Sequence, residues 1–217
     1  MTDDDIRALY LSAEQRWMQG WLAGPTLEGQ PLRRGATAPD VEVLDSDHAP
    51  VRLATLWESA PSLILLWRHL GCGCGVERAQ RLADEHQGYV DAGLNVAIVA
   101  PGDVERVAAY KERYQVPAPV FSDVEYRAHK AFGLGHWSVE QVLYDAPDEY
   151  CDLEETTGRR FQEDRRSQGR PLVDDPWMAS GEFVVAPDGV IRVAYQYNYC
   201  ADYPDPRVFT TAARLIG

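Results

Sequence analysis

The chain alternates between stretches with a helical apolar repeat and short unbroken apolar runs, and this rhythm predicts its elements. Residues 3–22 place Ile6, Tyr10, Ala13, Trp17 and Trp21 on one helical face, and Gly24-Pro25 ends the helix. That face is expected to pack onto the rest of the chain, with a homodimer contact as the alternative. Residues 25–38, rich in Gly, Pro and Arg, read as a surface linker. A short strand is predicted at 41–44, followed by an Asp45-Ser46-Asp47 turn. The apolar run at 62–66 suits a strand covered on both faces. A helix over 76–90 follows, marked by Ala79, Leu82, Ala83 and Tyr89. A second buried strand at 94–100 stops at Pro101-Gly102, and Asp103 can cap a helix at 104–115. A short strand at 119–121 then leads to a helix through Phe132, capped by Ser122 or Asp123.

Residues 136–180 break this rhythm. They are charged, contain Gly158, Gly169, Pro171 and Pro176, and read as an insertion of part helix, part loop. Trp177 is expected to anchor it by burying its ring. Residues 182–197 form a hairpin about Pro187-Asp188-Gly189, with Tyr195, Tyr197 and Tyr199 alternating onto one strand face for packing. Residues 205–216 close the chain as a helix. From residue 62 the order is β-α-β-α-β-α, insertion, β-β, α. Alternating strands and helices imply an α/β protein with a parallel-centred sheet, and the closing hairpin narrows this to a thioredoxin-like fold. Residues 1–34 read as an N-terminal helical extension with its linker. Residues 35–217 read as the thioredoxin-like domain, with the insertion at about 136–180 before the final β-hairpin.

Composition adjusts this picture only at its edges. The 217 residues are 45% hydrophobic and 25% charged, as in an ordinary folded domain. The net charge of -13 repels phosphate backbones and anionic lipid heads, so neither nucleic-acid nor membrane partners are expected. Arg159-Arg160 and Arg165-Arg166 come nearest to a basic patch, but Glu154, Glu155, Glu163 and Asp164 interleave them. The acidic start Met-Thr-Asp-Asp-Asp is unlike a secretory signal, and no stretch is long and apolar enough to span a bilayer. A cytoplasmic location is therefore expected, where cysteines serve redox, metal or core roles more than disulfide frameworks. There is no dinucleotide glycine fingerprint and no P-loop, and no cofactor is expected.

The candidate chemistry is Cys72-Gly73-Cys74, set between the buried strand and the next helix. A thiol there faces unpaired backbone N–H groups and the positive end of the helix dipole, which favour the reactive thiolate. Gly71, Gly73 and Gly75 leave the backbone open to an approaching oxidant or disulfide. A bond between residues i and i+2 closes a small ring and is expected to be readily reduced. Arg68, His69 and Arg78 each lower the thiol pKa if turned inward. Arg68 reads first as a surface ion-pair partner and second as a thiolate stabiliser. His69 reads equally as a functional group beside Cys72 and as a hydrogen-bonded core histidine. Cys151, among acidic neighbours, is expected to be a solvated bystander, and Cys200 either resolves an oxidised Cys72 or packs at a strand end. Two close thiols also suit a soft ion such as Cu(I), whereas zinc would need two further ligands that no second Cys pair or His-rich stretch supplies. A redox-silent scaffold is the third reading.

Residues 67–75, Trp-Arg-His-Leu-Gly-Cys-Gly-Cys-Gly, resemble the active-site segment of the AhpC/TSA-type peroxiredoxin-like redoxins, within them the selenoprotein-L-like branch. The likeness continues through residues 115–123, 131–135, 175–177 and 183–189, so it spans about residues 35–217. The resemblance implies a thioredoxin fold and thiol-dependent reduction of peroxides or disulfides. Cys72 would attack, Cys74 would resolve, and a thioredoxin-like or small-thiol reductant would restore the dithiol. Three positions depart from the family pattern. Leu65 and His69 stand where peroxiredoxins carry the Pro and Thr or Ser of Pro-x-x-x-Thr/Ser-x-x-Cys. Gly181-Glu182 stands where thioredoxin-type reductases place a cis-proline, and Gly75 occupies the second cysteine's place of Cys-x-x-Cys.

Overall fold

A computed structural model describes residues 2–170 and 174–216. Its centre is the apolar run, which forms β3 (Ser62–Leu66). It pairs in parallel with β4 (Asn95–Ala100), from Ser62↔Asn95 to Leu66↔Val99, and antiparallel with β6 (Gly181–Val185), from Ser62↔Val185 to Leu66↔Gly181. Every β3 residue is buried because both sheet faces are covered. Leu63 and Leu65 point into a core shared with α2 (Gly73–Asp91), α3 (Val104–Arg113) and α7 (Pro206–Ile216). Ile64 and Leu66 point the other way, toward Phe132, Trp137 and Phe183. The order across the seven described strands is β2-β1-β5-β4-β3-β6-β7, where β1 is Glu42–Leu44, β2 is Pro50–Arg52, β5 is Val120–Ser122 and β7 is Ile191–Gln196. This is a thioredoxin-like α/β sheet. Among the described residues no helix is long and apolar enough to cross a membrane.

Several local features differ from the sequence reading. β1 pairs with β2, a mostly exposed strand that carries no apolar run. The turn between them is held by Asp45, whose Oδ1 accepts from Asp47 N at 2.8 Å and Ala49 N at 2.9 Å. Asp103 stands at the N-cap of α3, yet its side chain makes no capping bond. The helix after β5 begins late, as α4 (Arg127–Ala131), behind a left-handed Tyr126. Asp123 still serves it, accepting from Ala128 N at 2.7 Å. The three alternating tyrosines do not share a strand face, because β7 ends at Gln196. Tyr197 is buried beyond it, while Tyr199 is exposed against Tyr144.

The insertion folds as α5 (Val139–Val142), a 3-10 turn at Asp148–Cys151 and α6 (Glu155–Ser167). Its residues 171–173, including Pro171, lie outside the described residues. The N-terminal α1 (Asp3–Ala23) docks on α6 within the chain. Trp21 stacks on Trp17, Phe161 and Trp177 at centroid distances of 5.1, 5.6 and 5.5 Å. Trp177 is fully buried and its Nε1 donates to Gly20 O at 2.8 Å, so one indole ties α1 to the insertion.

Candidate active site

β3 delivers the chain to the carboxyl end of the parallel strands, where α/β sheets open their crevices. The next residues alternate in direction. Trp67 buries among the α2 and α3 side chains, with its N–H donating to Val99 O at 2.9 Å. Arg68 turns to the opposite side and is 4% exposed. It is therefore not the surface ion-pair partner expected of it. Its Nε donates to Met178 O at 3.1 Å, and Nη2 donates to Pro176 O. Nη1 is left facing the sulfurs, 3.5 Å from Cys72 Sγ and 3.9 Å from Cys74 Sγ. The guanidinium also lies over the Trp137 ring at 5.3 Å. Burial works against its charge, but an arginine stays protonated in proteins.

Cys72 is the N-cap residue of α2 and Gly73 its first helical residue. Cys72 and Cys74 are joined by a disulfide, with Cα atoms 5.2 Å apart. The Arg170 guanidinium packs over Gly73, in the space a side chain there would take. His69 is buried, and its Nδ1 accepts from Gly71 N at 3.1 Å. Burial, then the charges of Arg68, Arg165 and Arg106, hold it well below the ordinary imidazole range. His69 is thus a neutral histidine that shapes the loop, carrying its proton on Nε2, and the cation facing the sulfurs is Arg68.

Arg78 does not reach the thiols. It is buried against Glu182, with Nε–Oε1 2.7 Å and Nη2–Oε2 3.1 Å, and its Nη1 is 2.8 Å from Glu85 Oε2. Cys200 is buried and shares the Cys74 side of the core, its Sγ donating to Val142 O at 3.6 Å. Burial pushes its thiol pKa up, against the opposing charge of Arg68. Cys151 is exposed on the 3-10 turn and does not line the cavity in front of the motif.

That cavity has a volume of about 270 Å³. The motif forms its floor, and its walls come from the extension and the insertion: Trp17 and Trp21 of α1, Leu143 beside α5, and Phe161 and Arg165 of α6. None of these wall residues was singled out for chemistry by local pattern. Arg165 and Arg166 read alike in sequence, but adjacent helical residues point about 100° apart. Arg166 pairs with Glu14 on α1, whereas Arg165 turns to the cavity. Tyr203 was likewise not foreseen, and its hydroxyl donates to Cys74 O at 2.9 Å.

The fold and a bonded cysteine pair at this strand–helix junction define a thioredoxin-fold thiol redoxin. The AhpC/TSA family model matches residues 34–194, and the chain belongs to that family. Solved structures agree on the fold. The peroxidoxin BcpB of Mycobacterium tuberculosis superposes with a TM-score of 0.61 at 14% identity, covering 86% of this chain and 99% of its own. A peroxiredoxin-like protein from Aquifex aeolicus gives 0.60 at 13%, with 88% and 92% covered. A thiol peroxidase from Chromobacterium violaceum gives 0.56 at 13%, with 86% and 89% covered. Among curated proteins, none matches the chain at the sequence level.

Proposed function

We propose that this protein is a thiol oxidoreductase that reduces peroxides or disulfides through a Cys72/Cys74 dithiol–disulfide cycle. The observation that supports the reading is the placement of a buried guanidinium, Arg68, 3.5 Å from Cys72 Sγ at the start of α2, with no ion-paired carboxylate among the described residues. Cation and helix terminus both favour the thiolate over the thiol. In the reduced protein the Cys72 thiolate attacks one oxygen of the substrate peroxide. The O–O bond breaks, the leaving oxygen takes a proton as alcohol or water, and Cys72 becomes a sulfenic acid. Cys74 then attacks that sulfur, water leaves, and the disulfide forms. An external dithiol returns two electrons and two protons. With a disulfide substrate, Cys72 attacks one sulfur, the other leaves as a thiol, and Cys74 resolves the mixed disulfide.

Soft-metal binding fits this setting less well, because a guanidinium beside both sulfurs opposes an incoming cation. Among the described residues no group of three or more His, Cys, Asp or Glu side chains accompanies the pair. Intact mass after hydrogen peroxide treatment of the reduced protein tests the cycle. The expected result is a loss of two hydrogens mapped to Cys72–Cys74, and no reaction after Cys72→Ser. A Cys72→Ser protein that consumes peroxide at the parent rate overturns the assignment.

A further inference from the structure

We propose that the cavity over Cys72–Cys74 binds a small amphipathic organic carboxylate, and that the peroxide or disulfide reduced here carries such a group. The second clause rests on the redox reading above. Three arginines line this one cavity: Arg68 after β3, and Arg165 and Arg170 at the end of α6 and just beyond it. The Arg170 guanidinium lies on Gly73, and Arg165 Nη1 is 3.7 Å from where a Gly73 Cβ would stand. Among the described residues, none of the three has a carboxylate oxygen within 4.0 Å.

Acids are not scarce in a chain of net charge -13. The neighbouring Arg159, Arg160 and Arg166 are each paired, with Glu155, Glu149 and Glu14. Two acids do border the cavity. Glu77 is bound to Arg81 at 2.9 Å, and Asp145 makes no ion pair. Arg68 spends two donors on the carbonyls of Met178 and Pro176, and Arg170 spends one on Gln168. Burial, then the charge of Arg170, holds Arg165 below the ordinary guanidinium range, against the opposing charge of Asp145. An entering anion relieves this repulsion, and a carboxylate matches the planar donors of a guanidinium.

Part of the remaining wall is apolar. Trp17, Trp21 and Phe161 face the same space, which suits a hydrocarbon or aryl body. A volume of about 270 Å³ equals that of about nine water molecules, the size of a small ligand. A carboxylate held by Arg165 and Arg170 beside Gly73 sets the adjoining atoms of the same molecule against Cys72.

The test is calorimetric titration of the full, oxidised chain with octanoate and, in parallel, 1-octanol, with tryptophan fluorescence reporting the Trp17 and Trp21 wall. Octanoate is expected to bind at least about ten-fold more tightly than octanol, and to weaken as salt is raised. Arg165→Gln with Arg170→Gln is expected to weaken octanoate by about ten-fold or more and to leave octanol unchanged. Equal binding of octanol and octanoate, or undiminished octanoate binding by the double variant, overturns the proposal. The comparison on the unaltered protein needs no variant to fold. Because the titration involves no turnover, octanoate binding without consumption of peroxide or disulfide sinks the redox reading and the second clause with it, and leaves the carboxylate site standing. Peroxide consumption without octanoate binding sinks the carboxylate site and leaves the redox reading.

Discussion

Replacing Arg68 by methionine removes the cation and keeps most of the side-chain length. In the folded protein its Nη1 sits 3.5 Å from Cys72 Sγ. Two unit charges at that separation attract by about 5 kcal/mol at an effective dielectric of about 20, and by about 2 kcal/mol at about 40. One pKa unit corresponds to about 1.4 kcal/mol, and the attraction favours the thiolate, so Arg68 is expected to hold the pKa of reduced Cys72 down. Cys72 is only half-buried, so water screens the pair and the lower of the two energies is expected. The assay is the pH dependence of alkylation of reduced Cys72, in a protein whose other three cysteines are serine. Arg68→Met is expected to move the midpoint up, and Arg68→Lys to restore part of the shift. The substitution also strands the carbonyls of Pro176 and Met178, at a cost of about 1–3 kcal/mol each if they stay dry. A thermal melt therefore accompanies the titration. A folded Arg68→Met protein with an unchanged midpoint would refute the electrostatic argument.

Arg78→Met leaves Glu182, 1% exposed, without its countercharge, and is expected to cost about 3–5 kcal/mol by urea denaturation. Adding Glu182→Leu should recover much of that loss, and failure to do so would mean that the pair holds α2 to β6 by more than charge compensation. Burial pulls His129 down to about 4, outweighing the opposing charge of Asp123, while its ring Nε2 lies 2.9 Å from Trp67 O. Its folded pKa lies below the unfolded value of about 6.5, so the unfolded chain binds the proton more readily. Stability falls as pH drops from about 6.5 to about 4, by about 2 kcal/mol between pH 7 and pH 5 from this residue. Denaturation midpoints at the two pH values should lie closer together in His129→Gln, and an unchanged difference would discard the assignment.

Much of the scaffold was legible because its signals are local. The continuous run at 62–66 can be satisfied only by cover on both faces, and it lies inside the sheet between β4 and β6. The Pro187-Asp188-Gly189 turn and its flanking strands pair as β6 and β7. The Cys-Gly-Cys segment at a strand–helix junction, with its likeness to the AhpC/TSA redoxins, pointed to the family. β2 was not legible, since its three residues are mostly exposed and carry no apolar run, unlike the equally short β1 and β5, which were predicted. One cap was misread because its side chain turns away from the free N–H groups. Asp103 Oδ2 lies 3.7 Å from Arg106 Nη1 of the same helix and bonds none of the helix's backbone N–H groups.

What the sequence by itself determined is the order of elements, the class of fold and the cysteine pair at the head of a helix. Those follow from apolar spacing and turn chemistry among residues close along the chain. Which groups surround the pair was decided only by the tertiary structure. Arg68 faces the sulfurs because carbonyls 108 and 110 residues away hold its other nitrogens. Arg78, nearer to Cys74 along the chain, turns away because Glu182, 104 residues on, neutralises it. The extension and the insertion, legible only as appendages, become cavity walls once Trp21 and Trp177 stack across 156 residues of chain. A side chain's direction is set by the contacts that offset its burial, and those contacts come from distant segments.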